Sequence, residues 1–163
     1  MKTKNIHLLR QAADLLQQID DRQYIAVPRG VTKSGIGGHV RHCLDFYSCF
    51  VRGLSAGRID YDARVRNELL EHDRHAAQAQ IAELIAQLQA LSLEDEQLSV
   101  QVRMEGETAW SYSSIFRELQ FLLSHTIHHF ALVAMLLRLQ GCEPAADFGV
   151  ALSTLNHWQQ QAA

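Results

Sequence analysis

Seven of the nine histidines fall into three tight clusters. The first lies in His39-Val40-Arg41-His42-Cys43-Leu44-Asp45, the second holds His72 and His75, and the third is His125-Thr126-Ile127-His128-His129. Imidazole is the commonest side-chain ligand for transition metals. A pair at i, i+4 on one helix face, joined by a third imidazole from another helix, suffices for a three-histidine metal site. The first and last clusters sit on apolar helical stretches and meet that requirement. The second, Glu71-His72-Asp73-Arg74-His75, is surrounded by charge and reads as a solvated helix face.

Orientation follows from a step of about 100° per helical residue. His125 and His129 differ by about 40° around the axis and share a side with Leu122, Val133 and Leu136, so this pair faces inward. His128 turns toward the polar side. On the earlier helix, His39 and His42 are one turn apart beside the apolar face, and either can supply the third nitrogen. Asp45 is placed to orient His42 as an outer partner or to pair with Arg41 at the surface. Glu118, two turns before His125, is a weak acid/base candidate.

Other chemistries lack their signatures. There is no HExxH for a zincin protease and no Walker phosphate loop, and no ExxH for a ferritin-like di-iron site. Gly35-Ile36-Gly37-Gly38 has no accompanying lysine and instead sets the start of a helix. Two axial histidines leave a haem bundle open, without a CxxCH attachment. Cys43 and Cys49 leave a Cys–His nucleophile open, although helical cysteines are more often small core residues.

The elements that must position these residues can be read from periodicity. Ile6 to Ile19 forms a helical stripe. Asp20 to Gly35, with Pro28, Gly30 and Gly35, reads as a loop, and Ser34 is a plausible N-cap. A second helix spans Ile36 to Leu54, a polar connection covers Ser55 to Asp60, and a third helix runs from about Arg66 to Leu91. Leu98 to Met104 alternates with period two, Glu105-Gly106-Glu107 turns, and Thr108 to Tyr112 returns as a strand. Ser113 or Ser114 caps a long helix from Ile115 to about Gln140, which Gly141 ends. A short helix over Ala151 to Gln160 closes the chain. The expectation is one all-α domain over residues 1–163, a four-helix bundle with a short β-excursion before its last long helix.

Composition agrees with a globular chain: 47% hydrophobic and 20% charged over 163 residues, net charge −3. Lys and Arg are spread without a basic block, so no nucleic-acid partner is expected. No uninterrupted apolar run approaches a membrane span, and the N-terminus does not read as a signal peptide. Three cysteines without CxxC fit reduced thiols in a cytoplasmic protein.

The HxxHxxD run of His39, His42 and Asp45, the HxxHH run of His125, His128 and His129, and their early and late placement resemble the DinB/YfiT-like family. The resemblance implies a four-helix bundle, often a homodimer, with a divalent metal, commonly zinc or nickel. Carried over residue by residue, the ligands are His42, His125 and His129. It also implies a possible low-molecular-weight thiol cofactor, because some relatives are thiol-dependent transferases or isomerases. Two family features differ: Phe130-Ala131-Leu132 stands where many relatives have Arg-Gly-Gln, and Phe46 where a histidine often follows the aspartate. The expected function is a metal-dependent thiol S-transferase or hydrolase acting on a small molecule. The alternative is a non-catalytic bundle with a structural metal or a small-ligand pocket.

Overall fold

Asn5 is buried at the centre of the protein, and its hydrogen bonds tie three helices together. The computed structural model describes residues 1–92 and 97–162. Its long helices are α1 (Lys2–Gln18), α3 (Ile36–Leu54), α5 (Arg74–Ala90) and α6 (Ile115–Leu139). Between them come α2 (Asp21–Ile25) and α4 (Leu69–His72), and α7 (Leu152–Ala162) follows. Both α1 and α3 pack against α5 and α6, which closes a ring of four helices around one hydrophobic core. Within it, Asn5 Nδ2 donates to the Leu119 carbonyl at 2.9 Å, and the Tyr47 hydroxyl donates to Asn5 Oδ1 at 2.7 Å. Thr126 donates to the same Tyr47 oxygen at 3.3 Å. Buried polar groups need such partners, so α1, α3 and α6 are held in one register, with Thr126 directly beside His125.

The interruptions have local causes. The expected loop after α1 contains α2, started by a capping box in which Asp20 accepts from the Gln23 amide and Gln23 answers to the Asp20 amide. The N-cap of α3 is Gly35 rather than Ser34. The third expected helix is two, because Asp73 leaves helical geometry and its carboxylate caps α5 through the amides of His75 and Ala76. Ser114 caps α6 by accepting from the Arg117 amide.

The β-excursion is larger than expected. The polar connection after α3 contains β1 (Arg58–Asp60), which pairs in parallel with β2 (Ser99–Arg103). β2 pairs antiparallel with β3 (Ser111–Ser114), which lies later than the expected return strand. The displaced Trp110 is covered instead by the guanidinium groups of Arg58 and Arg103, 5.4 and 5.0 Å from its ring centroid. At the β2 end, Glu105 and Gly106 take φ of 59° and 75°, the backbone of a tight type I′ turn that normally selects Asn or Gly.

By length and composition α6 is apolar enough to cross a membrane, although its apolar runs are interrupted as the sequence indicated. In this fold Leu119, Leu122, Val133 and Leu137 are core residues, and the helix packs on α3 and α1.

Gly37 lets the first turn of α3 lie against the end of α4. A β-carbon there would stand 2.1 Å from the Glu71 carbonyl oxygen, which is backbone and cannot swing aside. Gly37→Ala is expected to destabilise the protein by about 1–3 kcal/mol, the usual cost of overpacking. Urea denaturation of the two proteins, compared at constant m-value, measures this.

Candidate metal centre

The pairing of α3 with α6 brings the first and last histidine clusters face to face. His42 Nε2 lies 3.1 Å from His125 Nε2, and His39 Nδ1 lies 3.0 Å from His129 Nδ1. The rings of His42, His125 and His129 are mutually close, with centroids 4.5 to 4.9 Å apart. Each of the three offers one ligand nitrogen, all within 4.8 Å of one another, a group that could hold a divalent metal ion. Two imidazole nitrogens, each about 2.0–2.1 Å from a shared ion, stand about 2.9–3.4 Å apart for octahedral to tetrahedral angles. The 3.1 Å separation of His42 and His125 falls in that range.

His39 lies outside the trio and against His129. If His129 Nδ1–H donates to His39 Nδ1, the His129 Nε2 lone pair is left free. That is how a neighbouring acceptor fixes the tautomer of a ligating imidazole. His128 is exposed, its ring edge-on to His129 at 5.2 Å. His72 and His75 are exposed. His125 Nδ1 is buried without a hydrogen-bond partner, in a setting of aromatic faces: Phe46 at 4.4 Å and Phe121 at 5.5 Å.

Burial is the main cause that lowers the imidazole pKa values, with repulsion between the clustered rings and nearby arginines second. His42 and His125 fall to about 4 and His129 to about 3. His39 is also lowered, by burial and then by His128. The cluster is therefore neutral near pH 7, the protonation state that ligates metal.

For several surrounding residues the structure takes the plainer of the roles the sequence left open. Asp45 does pair with Arg41, at 2.8 Å, but it is buried rather than solvated, and its second oxygen accepts from the Asn67 amide. Arg41 also bonds Glu71 at 2.9 Å, which secures α3 to α4. Glu118 is buried and accepts from the Tyr61 hydroxyl at 3.0 Å and from Ser113, so it supports the aromatic wall rather than meeting the histidines. Cys43 is in the core with its thiol pushed up to about 12 by burial, and Cys49 donates to the Asp60 carbonyl. Neither is a ready nucleophile.

One side of the trio opens on a cavity of about 220 Å³, lined by His42, His125, Phe46, Tyr61 and Phe121, with Arg64, Asp62, Met104 and Glu105. Tyr61, Asp62 and Arg64 follow β1, and Met104 and Glu105 follow β2, so the small sheet supplies half of this wall. Periodicity could not find these residues, because their place depends on a parallel strand pairing. On the other side His39 borders a more apolar cavity of about 170 Å³, with Val31, Leu132 and Met135.

A mostly helical fold with three inward imidazoles at the seam of two apolar helices defines a class of metal-binding helical proteins. The chain belongs to the DinB superfamily, whose family profile matches residues 7–133 and so includes His39, His42, His125 and His129. It is also similar to a protein named FK506-binding protein 5 from Rhizopus delemar, 33% identical over 109 residues. That match covers 63% of this chain and 28% of the longer relative.

The lowered imidazole pKa values set the direction of a pH effect. In metal-free protein these histidines stay neutral when folded but titrate near 6.5 when unfolded, so unfolding takes up protons between about pH 4 and 6.5. Their contribution to stability is complete above about pH 6.5 and is lost as the pH falls toward about 4. Urea midpoints of chelator-treated protein should be lower at about pH 5 than at about pH 7.5. His129→Asn should narrow that difference.

Proposed function

We propose that this chain is a divalent-metal protein in which His42, His125 and His129 hold the ion and the 220 Å³ cavity receives a small molecule beside it. The observation that carries this reading is the convergence of three neutral imidazoles on one point bordering a cavity. Zinc and nickel are among the metals this neutral nitrogen donor set suits. When bound, such an ion supplies Lewis acidity and favours the deprotonated form of a thiol or water. Transfer of a low-molecular-weight thiol to a small electrophile, or hydrolysis of a small molecule, is the chemistry we assign.

The chain's own residues have distinct parts in that reading. His39 fixes the ring orientation of His129. Phe46, Tyr61 and Phe121 give the cavity beside the histidines an aromatic wall, and Glu118 and Ser113 hold Tyr61 in place. A purely structural metal would call for a fourth protein ligand. The contact of His39 with His129 Nδ1 favours an open position instead. The ring of α1, α5, α3 and α6 serves as the four-helix bundle of the family in one domain. We place the protein in the cytoplasm as a homodimer without nucleic-acid or membrane partners.

Elemental analysis after gel filtration tests the ligand set. His42→Ala, His125→Ala and His129→Ala should each abolish stoichiometric zinc or nickel. His39→Ala should keep one ion per chain with affinity about 10- to 100-fold weaker, as expected for an orienting partner. Full retention of metal by the three ligand variants would discard this reading.

A further inference from the structure

Arg64 breaks a rule that the other enclosed arginines obey. Arg41 is neutralised by Asp45 and Glu71, Arg74 by Asp21 and Arg103 by Asp60. Arg64 is half-buried, yet among the described residues no carboxylate stands within ion-pair distance of it. Its guanidinium carbon lies 4.7 Å from the centroid of Phe46, and Nη1 donates to the Tyr61 carbonyl at 2.8 Å. Nε is buried without an acceptor, and Nη2 makes no hydrogen bond within the described residues. Enclosing a charge without a counter-charge is costly. This one does so beside a cavity that it shares with His42 and His125.

A guanidinium without a counter-ion matches a carboxylate, which it meets through charge-assisted hydrogen bonds. Asp62 and Glu105 line the same cavity, but both are exposed, and Asp62 accepts from the Gly106 amide. Their charges oppose a dianion such as phosphate more than a monoanion, and solvent screens them where they stand. The remaining wall, Phe46, Tyr61 and Phe121, offers aromatic surface to an apolar body.

We propose that this cavity binds a small organic monocarboxylate, with its carboxylate on Arg64, its apolar body against Phe46 and Phe121, and its far end at the histidines. This inference rests on the metal-centre reading only for what the far end meets. The pairing with Arg64 stands without it.

Titration calorimetry with benzoate and its neutral analogue benzamide tests the assignment, on protein loaded with zinc and on chelator-treated protein. Benzoate should bind the parent in both states and benzamide should bind far more weakly. Arg64→Gln should weaken benzoate about tenfold or more, the scale of a charge-assisted pairing. Arg64→Lys, which keeps the charge and loses the planar fork, should fall between. Glu105→Gln removes an exposed like charge and should tighten benzoate about two- to fivefold. That variant keeps the test decisive if Arg64→Gln does not fold. Equal binding by parent and Arg64→Gln, equal binding of benzamide, absence of benzoate binding, or no tightening in Glu105→Gln would overturn the proposal. Metal content of the same samples separates the two readings. Protein that holds zinc but binds benzoate independently of Arg64 retains the metal centre and loses this inference. Protein that holds no metal but binds benzoate through Arg64 does the reverse.

Discussion

Four imidazoles share the seam between α3 and α6, and the rest of the molecule is arranged around that placement. Water is the natural solvent of an imidazole, and withdrawing four into one seam gives up hydration that only mutual contacts or a cation can replace. The cost is met by the apolar faces on which they ride. Val40, Phe46, Leu122, Val133 and Phe130 are buried along the same two helices, and their burial holds the seam closed. The histidines are thus neighbours because the flanking hydrophobic residues leave them no other position.

The polar network of Asn5, Tyr47 and Thr126 complements this nonspecific force with a directional one. Hydrophobic burial is tolerant of small slides along a helix axis, whereas a closed set of buried hydrogen bonds is not. With Thr126 adjacent to His125 and Tyr47 five residues after His42, the network fixes the helix offsets on which a 3.1 Å nitrogen separation depends. The ion pairs of Arg41 with Asp45 and Glu71 perform the same office toward α4.

Much of the helical frame was legible in the chain because its signals are local. The bounds of α3, a serine cap at the start of α6 and the inward turn of His125 and His129 all follow from periodicity and capping. The membership of His42 rather than His39 in the trio did not follow from periodicity. Both lie on one arc, and the choice depends on how α6 meets that arc. The break at Asp73 was hidden because the apolar positions flanking it stay in helical register, while the carboxylate acts on backbone amides that no pattern displays. β1 was missed for a different reason. Arg58-Ile59-Asp60 has one apolar residue and gains its strand geometry from β2, some forty positions later. Nothing in the sequence singles out Arg64, since its lack of a counter-ion is a property of the assembled molecule.

The small sheet divides labour within the site in a way that bears on how such a protein can diversify. The imidazoles are carried by core helices, where a change of size or register disturbs the whole interior. Arg64, Asp62 and Glu105 are carried by short segments next to strands at the periphery, where length and composition are freely variable. A lineage can therefore exchange the connection after β1 or the turn after β2 and reshape the cavity wall, without touching His42, His125 and His129. Under the proposed function, what binds the ion and what selects its companion molecule would thus be inherited separately on one helical frame.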